Sequence, residues 1–294
     1  MAGKIPLYVL SGTGNTLMAA REFERQSARF GLEAEIRSLD RRNENGGREP
    51  ADPRADIFGL FYPVYGFGTP RIVLDWVKGL PAGGGRRCFL ILTAAAGEAA
   101  GNLGAPKQVR RRLERRGYEV PYARILRMGS NWLVRYPDDF TRQLMKLLPE
   151  KCADAARAVA AGEVRSLPRK PLLHALTALV AHQEDHVGAR IWGRLLKAGG
   201  ECDGCGLCAK RCPTGNIAQD ARGRISFGWS CQWCMRCVYG CPKNAIVPRF
   251  LKSVVLEGGY DPKAILAAPD TGEPRAELVK MRSRSLEYLE NPAV

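Results

Sequence analysis

Cysteine is scarce along most of this chain. Of the 10 cysteines in 294 residues, only Cys88 and Cys152 lie outside positions 202 to 241. That excludes a framework of scattered disulfides and favours local ligation. Histidine is scarcer still, with His174, His182 and His186 the only three. Long apolar runs are missing too: Ile91–Ala96 and Ala175–Ala181 fall far short of the roughly 20 residues that span a bilayer, so no transmembrane segment is expected. The opening MAGKIPLYVL has no leader pattern. Together these absences point to a cytoplasmic protein with reduced thiols free for metal. Acidic residues are outnumbered 30 to 45, giving a net charge of +15 and a pI near 9.6. Such a balance suits an acidic protein, an anionic membrane or nucleic acid. No basic and aromatic interleaving or reading motif accompanies the charge, so nucleic acid is set aside. The densest basic segment, Lys107–Arg116, reads as a solvated surface helix, with docking to an acidic partner as the other reading.

What is present is concentrated in two cysteine runs. Cys202, Cys205, Cys208 and Cys212 precede Pro213, and Cys231, Cys234, Cys237 and Cys241 precede Pro242. A [4Fe-4S] cube needs one thiolate at each of four irons, and two-residue gaps wrap a chain closely enough to supply three. The longer gap and the proline then carry the fourth cysteine to the neighbouring cluster. Cluster one is therefore read as Cys202, Cys205, Cys208 and Cys241, and cluster two as Cys231, Cys234, Cys237 and Cys212. Structural zinc, the competing reading, prefers paired CxxC motifs with four ligands per ion, which two triplets fit poorly. Gly204 and Gly206 are expected to bend the first loop and bring N–H groups toward sulfur. In the second loop Gln232, Trp233 and Met235 should shield their cluster, while Arg236 adds positive charge. Cys88 and Cys152 read as ordinary buried residues. Residues 202–247 resemble a bacterial two-[4Fe-4S] ferredoxin, with every cysteine and both prolines in place, which implies one-electron carriage.

Upstream, strands and helices alternate, the signature of a parallel sheet covered on both faces. Strands are expected at Ile5–Leu10, Glu33–Leu39, Asp56–Tyr62, Cys88–Ala94 and Ala123–Met128. Helices are expected at Thr16–Phe30, Pro70–Lys78 and Pro106–Arg116, closed by left-handed caps at Gly31, Gly79 and Gly117. A further helical stretch, Asp139–Ala161, is interrupted at Pro149. The expected divisions are an α/β domain at 1–162, a linker and connecting helix at 163–199, a small α+β iron-sulfur domain at 200–247 and an extension at 248–294. Within these, 163–173 reads as linker, Leu172–Ala198 as one helix packed on the iron-sulfur part, and Arg275–Leu289 as amphipathic. His182 and His186 share a helical face, but no acidic third ligand accompanies them, so a packing or surface role is preferred to metal.

The first strand runs into Ser11, Gly12, Thr13, Gly14, Asn15 and Thr16, which open the first helix. There is no Walker lysine and no GxGxxG. Hydroxyls, amides and a helix N-terminus can surround a terminal monophosphate instead; an ordinary strand-to-helix turn is the plainer reading. The loop resembles the FMN phosphate loop of flavodoxins. In a five-stranded sheet of order 2-1-3-4-5, ligand sits at the carboxyl ends of strands one, three and four. Strand three ends in Pro63, Val64, Tyr65, Gly66 and Phe67, whose aromatics offer packing for a flavin ring, although Tyr65 also reads as a core aromatic. Strand four ends in Thr93, Ala94, Ala95 and Gly97, small enough to approach the ring edge. With YPVYGFGTPR after strand three and EGGYDP after the second cysteine run, the chain resembles the family of flavodoxin–ferredoxin fusions. That resemblance implies a flavodoxin-like doubly wound domain, FMN and two [4Fe-4S] clusters. No catalytic acid, base or nucleophile stands out, nor a nicotinamide fingerprint. The leading expectation is an electron carrier serving a redox partner protein. An oxidoreductase acting on a small molecule or quinone at the flavin is the second reading, and a flavin-free docking scaffold the third.

Overall fold

The computed structural model describes residues 4–40, 51–52, 55–98, 100–168 and 171–269 of the chain. Five parallel strands, β1 (Ile5–Val9), β2 (Ala34–Ser38), β3 (Ile57–Pro63), β4 (Arg87–Ala94) and β5 (Glu119–Arg127), form one sheet in the order β2-β1-β3-β4-β5. This is the flavodoxin-like order, with its crevice where the winding reverses between β1 and β3. Period-two alternation sends Tyr8, Leu60, Tyr62, Leu90 and Leu92 to one face, against α2 (Arg71–Lys78) and α3 (Gly104–Glu114). It sends Leu7, Val9, Phe61, Phe89 and Ile91 to the other, against α1 (Asn15–Ser27) and α5 (Leu148–Ala160). Gly59 lets Phe89 cross β3: a Cβ there would fall 2.6 Å from the Phe89 ring. β5 begins four residues before its expected start. Pro149 falls in the first turn of α5, so it separates that helix from α4 (Asp138–Lys146) without disrupting either. Gly31 and Gly117 are left-handed, as helix closure by glycine predicts, but Gly79 is not: its φ is −82°.

Charge is buried behind β5. Arg124 is 1% exposed and bonds the Asp154 carboxylate at 2.7 Å. Lys151, also 1% exposed, has its ammonium pKa lowered to about 8, chiefly by burial and then by the nearby Arg124 charge. The unfolded lysine holds its proton up to about 10.5, so between pH 8 and 10.5 the unfolded chain binds more protons and stability rises with pH. Lys151→Met is therefore expected to stabilise the chain by on the order of 2 kcal/mol below pH 8, the gain fading toward pH 10.5. Urea midpoints of variant and parent across that range check it; a pH-independent difference would sink the account.

Two expected elements differ. Arg165 donates its N–H to Pro121 O and accepts from Ala123 N, so the first part of the expected linker runs along β5 and covers that sheet edge. The single connecting helix is instead α6 (Pro171–Gln183), a π-helical turn at Glu184–Gly188, α7 (Ala189–Arg194) and a strand, β6 (Leu196–Ala198). Apolar spacing could not separate these pieces, because the π turn preserves the run of helical residues while rotating the face. Nor does the segment pack on one domain alone. A Cβ on Gly68 would lie 2.8 Å from Ala181 of α6, whereas Trp192 of α7 enters the small domain's core.

That small domain pairs β6 with β9 (Ile246–Pro248) and β7 (Ile217–Gln219) with β8 (Ile225–Phe227), both antiparallel. Short helices α8 (Leu207–Arg211) and α9 (Arg236–Tyr239) each sit between the third and fourth cysteines of a run or begin just before that interval. Beyond it, Leu256, Tyr260 and Ile265 pack with Tyr239, and α10 (Pro262–Ala267) lies on α4. Arg142 Nε donates to Ile265 O at 3.0 Å, so the extension binds both domains. The expected amphipathic stretch Arg275–Leu289 lies outside the described residues. Among the described residues no helix is long and apolar enough to cross a membrane.

Candidate cofactor site

The turn from β1 to α1 is built for an anion. Gly14 has φ 112°, α1 has no side-chain N-cap, and its first turn carries no acid. Apart from Leu17 N, the N–H groups of that turn are thus left to a ligand or water, at the positive end of a 13-residue helix. Neighbouring side chains hold the loop. Ser11 Oγ accepts from Leu17 N at 3.2 Å, and Thr16 and Thr93 hydroxyls lie 2.6 Å apart, joining the start of α1 to the end of β4. Asn131 Nδ2 donates to Thr13 Oγ1 at 2.7 Å, and Tyr260 Oη to Asn15 Oδ1 at 2.8 Å. The EGGYDP segment therefore reaches this loop from the far end of the chain.

Beside the loop lies a cavity of about 350 Å³, within the range of small-ligand sites. It is lined by Ser11, Gly12, Thr13, Asn15 and Thr16, by Pro63, Val64, Tyr65, Gly66 and Phe67, and by Thr93, Ala94 and Ala95. Two residues expected there do not line it. Gly14 turns its α-carbon toward the Pro262 ring, and Gly97 is buried against Arg127. Phe67, at φ 64° and 44% exposed, lies over Gly101, where a Cβ would come within 2.8 Å of its ring. Tyr65 is half-buried, and its hydroxyl is closed off without a hydrogen-bond partner; burial first, then the Cys234 thiol, pushes that phenol well above its ordinary range.

Sequence reasoning missed the rest of the wall. Asn131 and Trp132 come from the β5–α4 connection, His182 and His186 from the helical segment, and Gln232 and Trp233 from the second cysteine run. The two imidazoles stack at 4.4 Å with a 40° tilt. Gln232 is 2% exposed with neither amide atom paired, and Gln108 Oε1, Trp132 Nε1 and Trp233 Nε1 are likewise buried without partners. Buried polar groups in folded proteins are nearly always paired, so this density of orphans marks a place where a polar ligand belongs. An uncapped helix end for a phosphate, aromatic walls and orphaned donors and acceptors together fit FMN.

The cysteines fall into two neighbourhoods. Burial pushes the Cys237 thiol well above its ordinary range, and its thiol neighbours are Cys234, Cys231, Cys212 and, last, Cys208. Burial and Cys234 push Cys231 up to about 12. In the other neighbourhood, Cys208 is raised by burial and by Cys202 and Cys241. Thiolates so disfavoured need a cation's field, which iron supplies. Among the described residues no three potential ligands converge on a single-ion position. Asn216 N donates to Cys212 Sγ at 3.2 Å, and Ala245 N to Cys241 Sγ at 3.3 Å, four residues on in each run. Trp233 N lies 3.4 Å from Cys231 Sγ. Gly204 and Gly206 serve the bend of the first loop, both at φ 71°.

The second run also touches the α/β domain directly. Arg236 donates to Gly12 O at 3.2 Å, to Ser11 O, and to Arg211 O at 3.1 Å, and it forms an ion pair with Asp40. Its charge is shared between the Asp40 carboxylate and Cys234, whose thiolate it favours against the cost of burial. Arg71 Nη2 reaches Cys231 O at 2.5 Å. Gly12 allows the closest approach: a Cβ there would fall 2.5 Å from the Cys234 carbonyl oxygen and against the Tyr65 hydroxyl.

A flavodoxin-like sheet followed by a small domain with two cysteine neighbourhoods defines an electron-transfer protein. Residues 197–246 match the 4Fe-4S dicluster domain family, so this part of the chain holds two [4Fe-4S] clusters. Among solved structures, the chain is similar to two-electron reduced Megasphaera elsdenii flavodoxin, at 18% identity over 53% of this chain and 98% of that one, with a TM-score of 0.35. It is also similar to a flavodoxin from the domain Archaea, at 13% identity over 53% and 99%, with a TM-score of 0.32. No curated protein matches.

Proposed function

We propose that the chain is an iron-sulfur flavoprotein that exchanges electrons between FMN and two [4Fe-4S] clusters, in service of a redox partner protein. FMN, when bound, supplies interconversion of two-electron and one-electron transfer. The observation that carries this reading is the shared wall: Gly12 of the phosphate-type loop abuts Cys234, while Gln232 and Trp233 line the cavity. Ser11, Thr13, Asn15, Thr16 and the first turn of α1 would hold the phosphate, with Tyr65 and Trp233 flanking the ring. Cys231, Cys234, Cys237 and Cys212 would hold the cluster beside the cavity. Cys202, Cys205, Cys208 and Cys241 would hold the outer one, whose exposed Cys205 marks the face offered to a partner. A net charge of +15 suits an acidic partner, and thiols kept for metal suit a reducing compartment such as the cytoplasm.

Anaerobic purification with iron, sulfide and flavin counted together is expected to return about eight, eight and one per chain. Bound zinc, or no flavin after reconstitution, would contradict the proposal. Steady turnover of a quinone with no partner protein present would instead favour an oxidoreductase.

A further inference from the structure

The two cysteine runs are an internal repeat, and the differences between them isolate what the second does for the cavity. One residue after the first cysteine stands Asp203 in one run and Gln232 in the other. The Asp203 carboxylate serves its own loop, accepting from Cys205 N at 3.1 Å. Gln232 makes no such bond: its carboxamide is buried in the cavity wall with neither atom paired. Two and four residues after the first cysteine stand Gly204 and Gly206, and correspondingly Trp233 and Met235. All four are left-handed, but the side-chain-bearing pair, at φ 60° and 58°, meets a steric cost that glycine avoids. Trp233 is held there by Trp132 at 5.1 Å and Trp192 at 5.7 Å, and it covers Gly188. The packing that retains this backbone fixes the adjacent Gln232 at the wall.

A carboxamide presents one donor face beside one acceptor face. Its complement is a ring edge carrying N–H next to C=O, which the pyrimidine half of oxidised flavin has at N3 and which a quinone, with acceptors only, lacks. We propose that Gln232 is a flavin-binding residue supplied by the iron-sulfur domain, its carboxamide pairing with the N3–H and adjacent carbonyl of the ring. The inference rests on the FMN reading above. It makes the flavin site a composite: one domain holds the phosphate and the other reads the ring. Leaving a buried amide unpaired costs about 1–3 kcal/mol, so the pairing should matter to affinity by about tenfold or more.

The test uses the full chain with its clusters, flavin removed, titrated with FMN and with N3-methyl-FMN under anaerobic conditions. Wild-type protein is expected to bind the methylated ring at least about tenfold more weakly. Gln232→Leu is expected to weaken FMN by a similar factor, with iron content unchanged, and to lose the discrimination between the two ligands. Gln232→Glu keeps an acceptor for N3–H, so it should keep the discrimination, while its charge lowers the flavin midpoint potential. Equal binding of the two flavins by wild type overturns the proposal without recourse to any variant. So does a Gln232→Leu protein that shifts only a cluster potential. If wild type binds neither flavin, the FMN reading falls and takes this inference with it, whereas tight FMN binding without discrimination sinks this inference alone.

Discussion

Changing Cys212 to alanine is expected to remove about half the iron and weaken FMN binding by about tenfold, whereas Cys241→Ala removes the same iron and leaves the flavin in place. The asymmetry would follow from the crossed ligation proposed above. Cys212 belongs to the first run in sequence, yet its thiol stands among Cys231, Cys234 and Cys237. Without that ligand the second cluster is lost, and residues 231–237 lose the core that shapes them. This is the loop that puts Gln232 and Trp233 in the cavity wall and the Cys234 carbonyl against Gly12. Cys241, by contrast, neighbours Cys208, and neither lines the cavity. If each run instead ligated its own cube, the two variants would exchange phenotypes. Iron assays with a flavin titration on both proteins decide it.

Arg236→Met should loosen the contact between the two domains more than the loss of a surface charge would. One side chain donates to Ser11 O, Gly12 O and Arg211 O and pairs with Asp40, so its loss leaves carbonyls and a carboxylate behind, mostly shielded from water. Both members of the pair are about four-fifths shielded, with 20% and 16% of their side chains exposed. Breaking a well-buried pair commonly costs about 3–5 kcal/mol, and the residual exposure reduces that here to on the order of 2–3 kcal/mol. Lysine at this position should recover only part of it, because a point charge cannot reproduce a planar fork shared among several acceptors. The check is the urea midpoint of cluster absorbance for wild type, Arg236→Met and Arg236→Lys. An unchanged midpoint in the methionine variant would show that the contacts do not hold the domains together.

What could be read in advance, and what could not, divides along sequence distance. β1, β3 and β4 were legible because buried parallel strands are continuous apolar runs, and the cysteine spacing was legible because a cube imposes it. Ser11–Thr16 announced itself by local turn chemistry. Gln232 and Trp233 gave no such signal as parts of the cavity, since what makes them so is a meeting of segments some 220 residues apart, seen in Arg236 against Gly12. One clue was present nonetheless. Trp233 and Met235 stand where the first run has glycine, and a side chain in a glycine position asks for an external reason. The break at Glu184–Gly188 was hidden for another cause: apolar periodicity reports that a helix continues, not that its turns have widened.

Two copies of one motif need not stay equal once a neighbour bears the strain of one of them. The first run keeps glycine at both left-handed positions and is self-sufficient there. The second has given up that independence: Trp233 leans on Trp132 from the α/β domain and on Trp192 from the segment between the domains. Its loop is shaped for company. A gene fission that released residues 197–246 as a stand-alone carrier would therefore leave behind one of the contacts that hold the second loop and, with the loss of α7, the other. The join between the two domains has in this sense become irreversible, written into the backbone of the smaller one.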